Sequence, residues 1–216
     1  MQEKLQNEIK LTYDNVANEY GEYAEHALAK KSLDRKILEL FAERVGSSET
    51  VYDIGCGPGT VTRYLKGLGV SIVGIDISTK MVEIARKLNP KIHFEQGDVF
   101  NLKLGENTLG GIIAFYLIIN FPRADIPKVS EEMFRVLRQG GTLLLTFHVG
   151  EKTIPVEEYL GKKVTMNFTL FQPEEIKAIL QRCGFQIGEI VVRTPYTDVE
   201  RDLPKAYIFA RKPSWE

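Results

Sequence analysis

The segment VYDIGCGPGT, Val51–Thr60, is where the chain's residue types first suggest chemistry. An apolar run meets Asp53, and Gly55, Gly57 and Gly59 follow at alternate positions. Glycine lets a backbone turn tightly and approach a ligand with no Cβ in the way. A helix opening directly after such a turn presents unpaired N–H groups that favour an anion. Dinucleotide-binding turns use G-x-G-x-x-G, with the third glycine inside the helix. Here the spacing is G-x-G-x-G and position 60 is Thr. An acid just before the loop would repel a pyrophosphate and attract an ammonium group. The turn therefore suits a ligand with an amino group close to the glycines.

Two further acids extend this reading. GIDIS places Asp76 about twenty residues past the glycines, the offset at which a strand-end acid accepts ribose hydroxyls. QGDVF places Asp98 after Gly97, where a carboxylate can accept from an exocyclic adenine amine and the Val99 backbone can complete base recognition. A nucleoside and an amino acid on one ligand describe S-adenosyl-L-methionine.

The surrounding pattern supplies elements to hold these groups. Tyr13, Val16, Ala17 and Tyr20 fall on one helical face, and Leu33, Ile37, Leu40, Phe41 and Val45 form a second stripe ending at Gly46, a C-cap glycine. Strands are predicted at TVYDI, SIVGIDI, KIHFEQ, GGIIAFY and TLLLTFHV, with helices over 60–68, 79–88 and 126–137 between them. Continuous Ile/Val/Leu runs alternating with helices predict a parallel, doubly wound sheet covered on both faces. After His148 the rhythm changes. KKVTMNFTLF is strand-like, Pro173 opens a helix, and FQIGEIVVR and KAYIFAR suit an antiparallel pair at the sheet edge.

The 216 residues are 44% hydrophobic and 26% charged, with a formal charge of -1, which suits one domain and gives no basic field for nucleic acid. The pairs Lys30–Lys31 and Lys162–Lys163 read as solvated surface. Cys56 and Cys183 have no metal-ligand spacing, so no metal is expected and a reducing cytoplasmic setting is the simplest. No signal-peptide pattern opens the chain, and the apolar run IIAFYLIINF is too short for a membrane helix.

Taken in order and spacing, VYDIGCGPGT, GIDIS, QGDVF, IIAFYLIINF and VLRQGGTLLLTF resemble a class I S-adenosylmethionine-dependent methyltransferase of the small-molecule type, from about residue 10 onward. The resemblance implies an α/β, Rossmann-like doubly wound seven-stranded sheet, mostly parallel with an antiparallel last strand and helices on both faces. It implies a single domain over 1–216, with an N-terminal helical lid over 1–46 and a small insertion over the active site at 150–172. YDNVANEY, with Tyr13 and Tyr20, resembles the helix that covers the cofactor. The loop Gly55–Gly59, with Cys56, Gly57 and Asp53, would contact the methionine portion. Asp76 would hold the ribose, with Ile77 and Met81 beside the adenine, and Gly97, Asp98 and Val99 would read the base. Phe115 and Tyr116 would line the sulfonium and acceptor region. Many relatives carry an acid just before the fourth strand, where this chain has Gly110 and Gly111.

The implied reaction moves a methyl group to O or N of a small-molecule acceptor by in-line displacement, leaving S-adenosyl-L-homocysteine. The cofactor supplies the reactive group and the protein supplies position. Tyr116 and His148, at strand ends facing the acceptor region, are the catalytic candidates, and the ordinary pKa of an imidazole suits a base at neutral pH. Tyr159, Phe168 and Phe171 are available to roof the pocket. Arg193 reads as an anion contact or a surface ion pair. A monomer or homodimer with no nucleic-acid or membrane partner is expected. The alternatives are a methyltransferase acting on protein or RNA, a non-catalytic cofactor-binding module, and a nicotinamide-dependent oxidoreductase; the loop spacing weighs against the last.

Overall fold

The computed structural model describes residues 2–197 and 199–214. Two helices come first, α1 (Gln2–Ala27) and α2 (Ser32–Val45), and Gly46 ends α2 with φ 76° and an N–H bonded to Ala42 O. The alternating core follows: β1 (Thr50–Ile54), α3 (Thr60–Gly67), β2 (Ser71–Asp76), α4 (Thr79–Leu88), β3 (His93–Gln96), β4 (Leu109–Phe115), α5 (Ile126–Val136) and β5 (Leu137–His148). A hairpin, β6 (Thr153–Tyr159) and β7 (Lys162–Thr169), precedes α6 (Pro173–Arg182), β8 (Gln186–Arg193) and β9 (Lys205–Arg211).

The main sheet has seven strands in the order β3-β2-β1-β4-β5-β9-β8. The first five are parallel, while β9 runs antiparallel to both β5 and β8. This is the sheet the sequence predicts. The period of two explains why its strands read as continuous apolar runs. Ile112 and Ala114 of β4 and Leu143 and Leu145 of β5 pack with Val129, Met133, Ile176 and Leu180 on one face. Ile113 and Leu144 point the other way, against Leu38, Phe41 and Leu65. Among the described residues no helix is long and apolar enough to cross a membrane.

Two boundaries depart from the sequence reading. β5 begins at Leu137, five residues before the predicted TLLLTFHV, because Gly140, at φ 72°, carries the chain through a bend that stays in the sheet. The first strand of the hairpin, TIPVEEY, went unrecognised because Pro155 and the two glutamates hide it. Its residues are largely exposed, and it pairs only with β7.

Gly110 and Gly111 have a packing reason. A Cβ on Gly110 would lie 2.4 Å from both Cβ and Oε2 of Glu49, and one on Gly111 would meet Val45 and Phe41. Glu49 fills the space beside Gly110 and accepts from Arg138 Nε at 2.8 Å. An acid at 110 would clash with Glu49 and add like charge. Gly110→Asp is expected to lose about 1–3 kcal/mol of stability, as overpacked sites do, and a urea titration with unchanged slope measures it.

Candidate active site

The parallel strands deliver their carboxyl ends to one rim of the sheet, where ligands bind in open α/β folds. A cavity of about 470 Å³ opens there. Its floor is Ile54 and Gly55 after β1, Asp76 at the end of β2, Gly97 and Asp98 after β3, Phe115 and Tyr116 at the end of β4, and His148 at the end of β5. Its roof is α1, with Ile9, Tyr13 and Tyr20, and the β6–β7 hairpin, with Tyr159 and Phe168.

The glycine turn is built by left-handed backbone. Gly57 has φ 53° and Gly59 φ 80°, and a Cβ on Gly59 would sit 2.6 Å from the Phe94 ring. Gly57 lines the cavity, and its N–H donates to Asp76 Oδ2 at 2.8 Å. Asp76 Oδ1 accepts from Ser78 N–H at 2.8 Å. One carboxylate thus ties the first turn to the start of α4. Two of its roughly four lone-pair sites remain for a ligand diol. Burial raises the Asp76 pKa to about 6, even with the two backbone donors opposing that shift. Hydroxyl donors bind the ionised form, so nucleoside affinity is expected to be level above pH 6 and to weaken as pH falls below it. Calorimetry with S-adenosylhomocysteine across pH 5–8 checks the sign.

Tyr13, Tyr20, Ile77, Met81, Gly97, Asp98, Val99, Phe115 and Tyr116 all line the cavity beside Gly55, Gly57 and Asp76. Asp98 already accepts from the Phe100 amide at 3.0 Å and from Gln6 Nε2 at 2.7 Å. Asp53, Cys56 and Gly59 stand behind the turn. Asp53 is 1% exposed and accepts from Thr62 Oγ1 at 2.6 Å, while its Oδ1 has no hydrogen-bond partner among the described residues. Burial pushes its pKa up to about 7. Cys56 packs with Val82, Ala85 and Phe94, and burial lifts its thiol well above the ordinary range.

An aromatic wall runs around the cavity. Ring centroids step from Tyr13 to Tyr20 (6.2 Å), Tyr159 (6.1 Å), Phe168 (5.8 Å), His148 (6.2 Å), Tyr116 (5.1 Å) and Phe115 (5.0 Å). Such faces attract a cation in a water-poor site. Tyr116 holds the left-handed conformation, φ 59°, anchored by its N–H to Thr146 O and Oγ1. A bulky residue there stores about 1–3 kcal/mol of strain, and such strain concentrates at functional sites. Its hydroxyl is buried with no hydrogen-bond partner among the described residues, and burial beside the Tyr207 phenol raises its pKa well above the ordinary range. His148 Nδ1 is likewise without a partner. Burial, reinforced by the charge of Lys205, lowers the His148 pKa to about 3, so the imidazole is neutral across the physiological range.

The sequence reading missed an ionic wall at the His148 end. Lys31, Glu200, Arg201 and Lys205 line it. Lys31, read as solvated surface, is 8% exposed and lies 3.0 Å from Glu200. Lys205 is 1% exposed, and burial lowers its pKa to about 8. Burial would raise the Glu200 carboxyl, but Arg193, the Tyr196 amide and Lys31 hold it down at about 2. Arg193 does not line the cavity. It is buried behind this wall, 2.9 Å from Asp34. No local pattern marks these residues, because their burial is set by long-range packing. Among the described residues no cluster of His, Cys, Asp and Glu could hold a metal ion.

Residues 51–141 match a family model described as "Methyltransferase domain". The chain is 24% identical to the O-methyltransferase cnsE of Penicillium expansum, over 76% of this chain and 60% of that protein. It is 27% identical to the malonyl-[acyl-carrier protein] O-methyltransferase of Enterobacter lignolyticus, over 61% and 52%. The chain therefore spans just over half the length of these curated relatives. Among solved structures, a methyltransferase of Methanosarcina mazei superposes with TM-score 0.73 at 18% identity, covering 80% of this chain and 96% of that one. The [4+2]-cyclase SpnF superposes with TM-score 0.76 at 18% identity, covering 97% of each chain. Residues 51–141 thus match a methyltransferase domain model, and the chain has the fold of the S-adenosylmethionine-dependent methyltransferases.

Proposed function

We propose that the protein transfers the methyl group of S-adenosylmethionine to an oxygen or nitrogen atom of a small-molecule acceptor. One observation carries this reading. A single cavity runs from the glycine turn and the two strand-end acids, Asp76 and Asp98, past the aromatic wall to Tyr116 and His148. The acid end fits the ribose, the adenine amine and the ammonium group, and the aromatic faces fit a sulfonium. When bound, the cofactor supplies an activated methyl group that leaves behind a neutral thioether.

This chain's residues do the positioning. Asp76 and Gly57 fix the turn to the nucleoside end. α1 and the hairpin form a lid that keeps water out; they are joined by Lys162–Glu19 at 3.0 Å and by Asn15 Nδ2 donating to Lys163 O. The roof favours a small acceptor over a folded protein or an RNA helix. A neutral His148 with a strongly lowered pKa is a poor proton acceptor, so we assign it orientation of the acceptor rather than general-base work.

Calorimetric titration with S-adenosylmethionine and S-adenosylhomocysteine tests the cofactor, and release of S-adenosylhomocysteine in the presence of small acceptors tests transfer. Saturable binding with acceptor-dependent release supports the reading. A folded sample that binds neither ligand sinks it, and binding without transfer to any acceptor would leave a cofactor-binding module.

A further inference from the structure

The far end of the cavity differs in charge from the near end. Near the glycine turn the ionisable groups on the wall are the acids Asp76 and Asp98. Beyond Tyr116, among the described residues, they are Lys31, Lys205 and Arg201 against the acid Glu200. Arg193 and Asp34 stand behind them as a pair and cancel. Two positive charges are left in excess, one among the buried groups and one on Arg201 at the exposed mouth. The chain rarely buries a cation without a partner, because desolvation is costly.

The placement of these cations is specific. Lys205 is held by the carbonyls of Arg201 and Leu203 and sits 3.8 Å from Glu200. Lys31 reaches over Tyr116, with Nζ 5.9 Å from the ring centroid. The Arg201 guanidinium lies over Phe168 at 5.3 Å and Tyr159 at 5.8 Å, and it has no carboxylate partner among the described residues. Beside them are the two buried polar atoms without partners, Tyr116 hydroxyl and His148 Nδ1. The Tyr116 phenol keeps a proton that it can donate to a ligand oxygen.

We infer that the acceptor pocket takes a small organic acid, whose ionised oxygen is received by Lys31, Arg201, Lys205 and the Tyr116 hydroxyl and is the atom methylated. This rests on the transferase reading above and narrows it to oxygen acceptors that arrive already charged. The step balances without a base. The ionised oxygen forms the O–C bond with its own electron pair, the C–S bond breaks with its pair leaving on sulfur, and no proton changes hands. Cation and anion become two neutral products, a change that a desolvated site favours. It accounts for a histidine at the site that is held neutral.

The test is binding rather than turnover. The protein saturated with S-adenosylhomocysteine is titrated calorimetrically with benzoate, phenylacetate and octanoate, and with their primary amides. At least one acid is expected to bind about tenfold tighter than its amide, close to 1.4 kcal/mol. Arg201→Gln, at an exposed position, and Lys31→Met should each remove most of that preference while S-adenosylhomocysteine affinity stays unchanged. Acids that bind no better than amides, including the case where neither binds up to about 10 mM, overturn the inference. A preference that survives both substitutions overturns it too. Failure of S-adenosylhomocysteine itself to bind is a different result and removes the transferase reading underneath.

Discussion

Asp76→Ala is expected to weaken S-adenosylhomocysteine binding by about 100-fold or more, because one carboxylate does two jobs with charge-assisted bonds worth about 1.5–3 kcal/mol each. It accepts the Gly57 and Ser78 amides, and it offers its remaining lone pairs to the cavity. Removal would cost the ligand contacts and also release the Gly57 N–H that keeps the left-handed turn in place. Asp76→Asn should be nearly as poor. An amide has one acceptor oxygen, so its NH₂ group must face a backbone donor on one side. Calorimetry on folded variants with unchanged melting temperature measures both. A loss under threefold would mean that the nucleoside is held elsewhere and would reopen the assignment of this cavity end.

The cofactor end was legible because its chemistry is local. A glycine turn after an apolar strand, and acids at the ends of the next two strands, are properties of a few adjacent residues. The parallel order of the strands then brings Gly57, Asp76 and Asp98 together with no further information needed. Asp53 was harder to place. It is one strand position too early to reach the open rim, and it lies beneath the turn with Thr62 as its partner.

The acceptor end was not legible, because its members are scattered. Lys31 lies between α1 and α2, and Glu200 and Arg201 come from the loop after β8. Lys205 reaches the site because β9 runs antiparallel to β5 in a register that sets it opposite His148. In sequence these are ordinary surface charges; only the packed fold desolvates Lys31 and Lys205, while Arg201 stays exposed. The same desolvation turns His148 from a histidine with an ordinary base's pKa into one near 3. The hairpin strand TIPVEEY was hidden for a related reason, since it has no buried face of its own to impose alternation.

That scattered wall must be held in place, which makes Arg193→Met the substitution with the largest expected effect on stability. Arg193 is 8% exposed and connects three parts of the chain. Its Nε donates to the Tyr207 hydroxyl at 2.8 Å, its Nη2 lies 2.9 Å from Asp34 of α2 and 3.2 Å from Glu200, and its plane covers Tyr196 with the guanidinium carbon 4.3 Å from the ring centroid. Methionine keeps most of the length and none of the charge. Glu200 would retain Lys31 and the Tyr196 amide. Asp34, wholly buried, would lose its one ion pair among the described residues. Removing one partner of a buried pair costs about 3–5 kcal/mol, chiefly because the other charge is stranded. For a chain of this size that is a fall of about 6–20 °C in melting temperature. Arg193→Met combined with Asp34→Leu should recover much of the loss, because no charge is then stranded. A single variant that melts within about 2 °C of wild type would show that water already reaches Asp34. In that case the ion pair is a surface contact, and the loop carrying Glu200 and Arg201 is held by its other contacts, Lys31 with Glu200 and the Leu33 N–H donating to the Tyr196 hydroxyl.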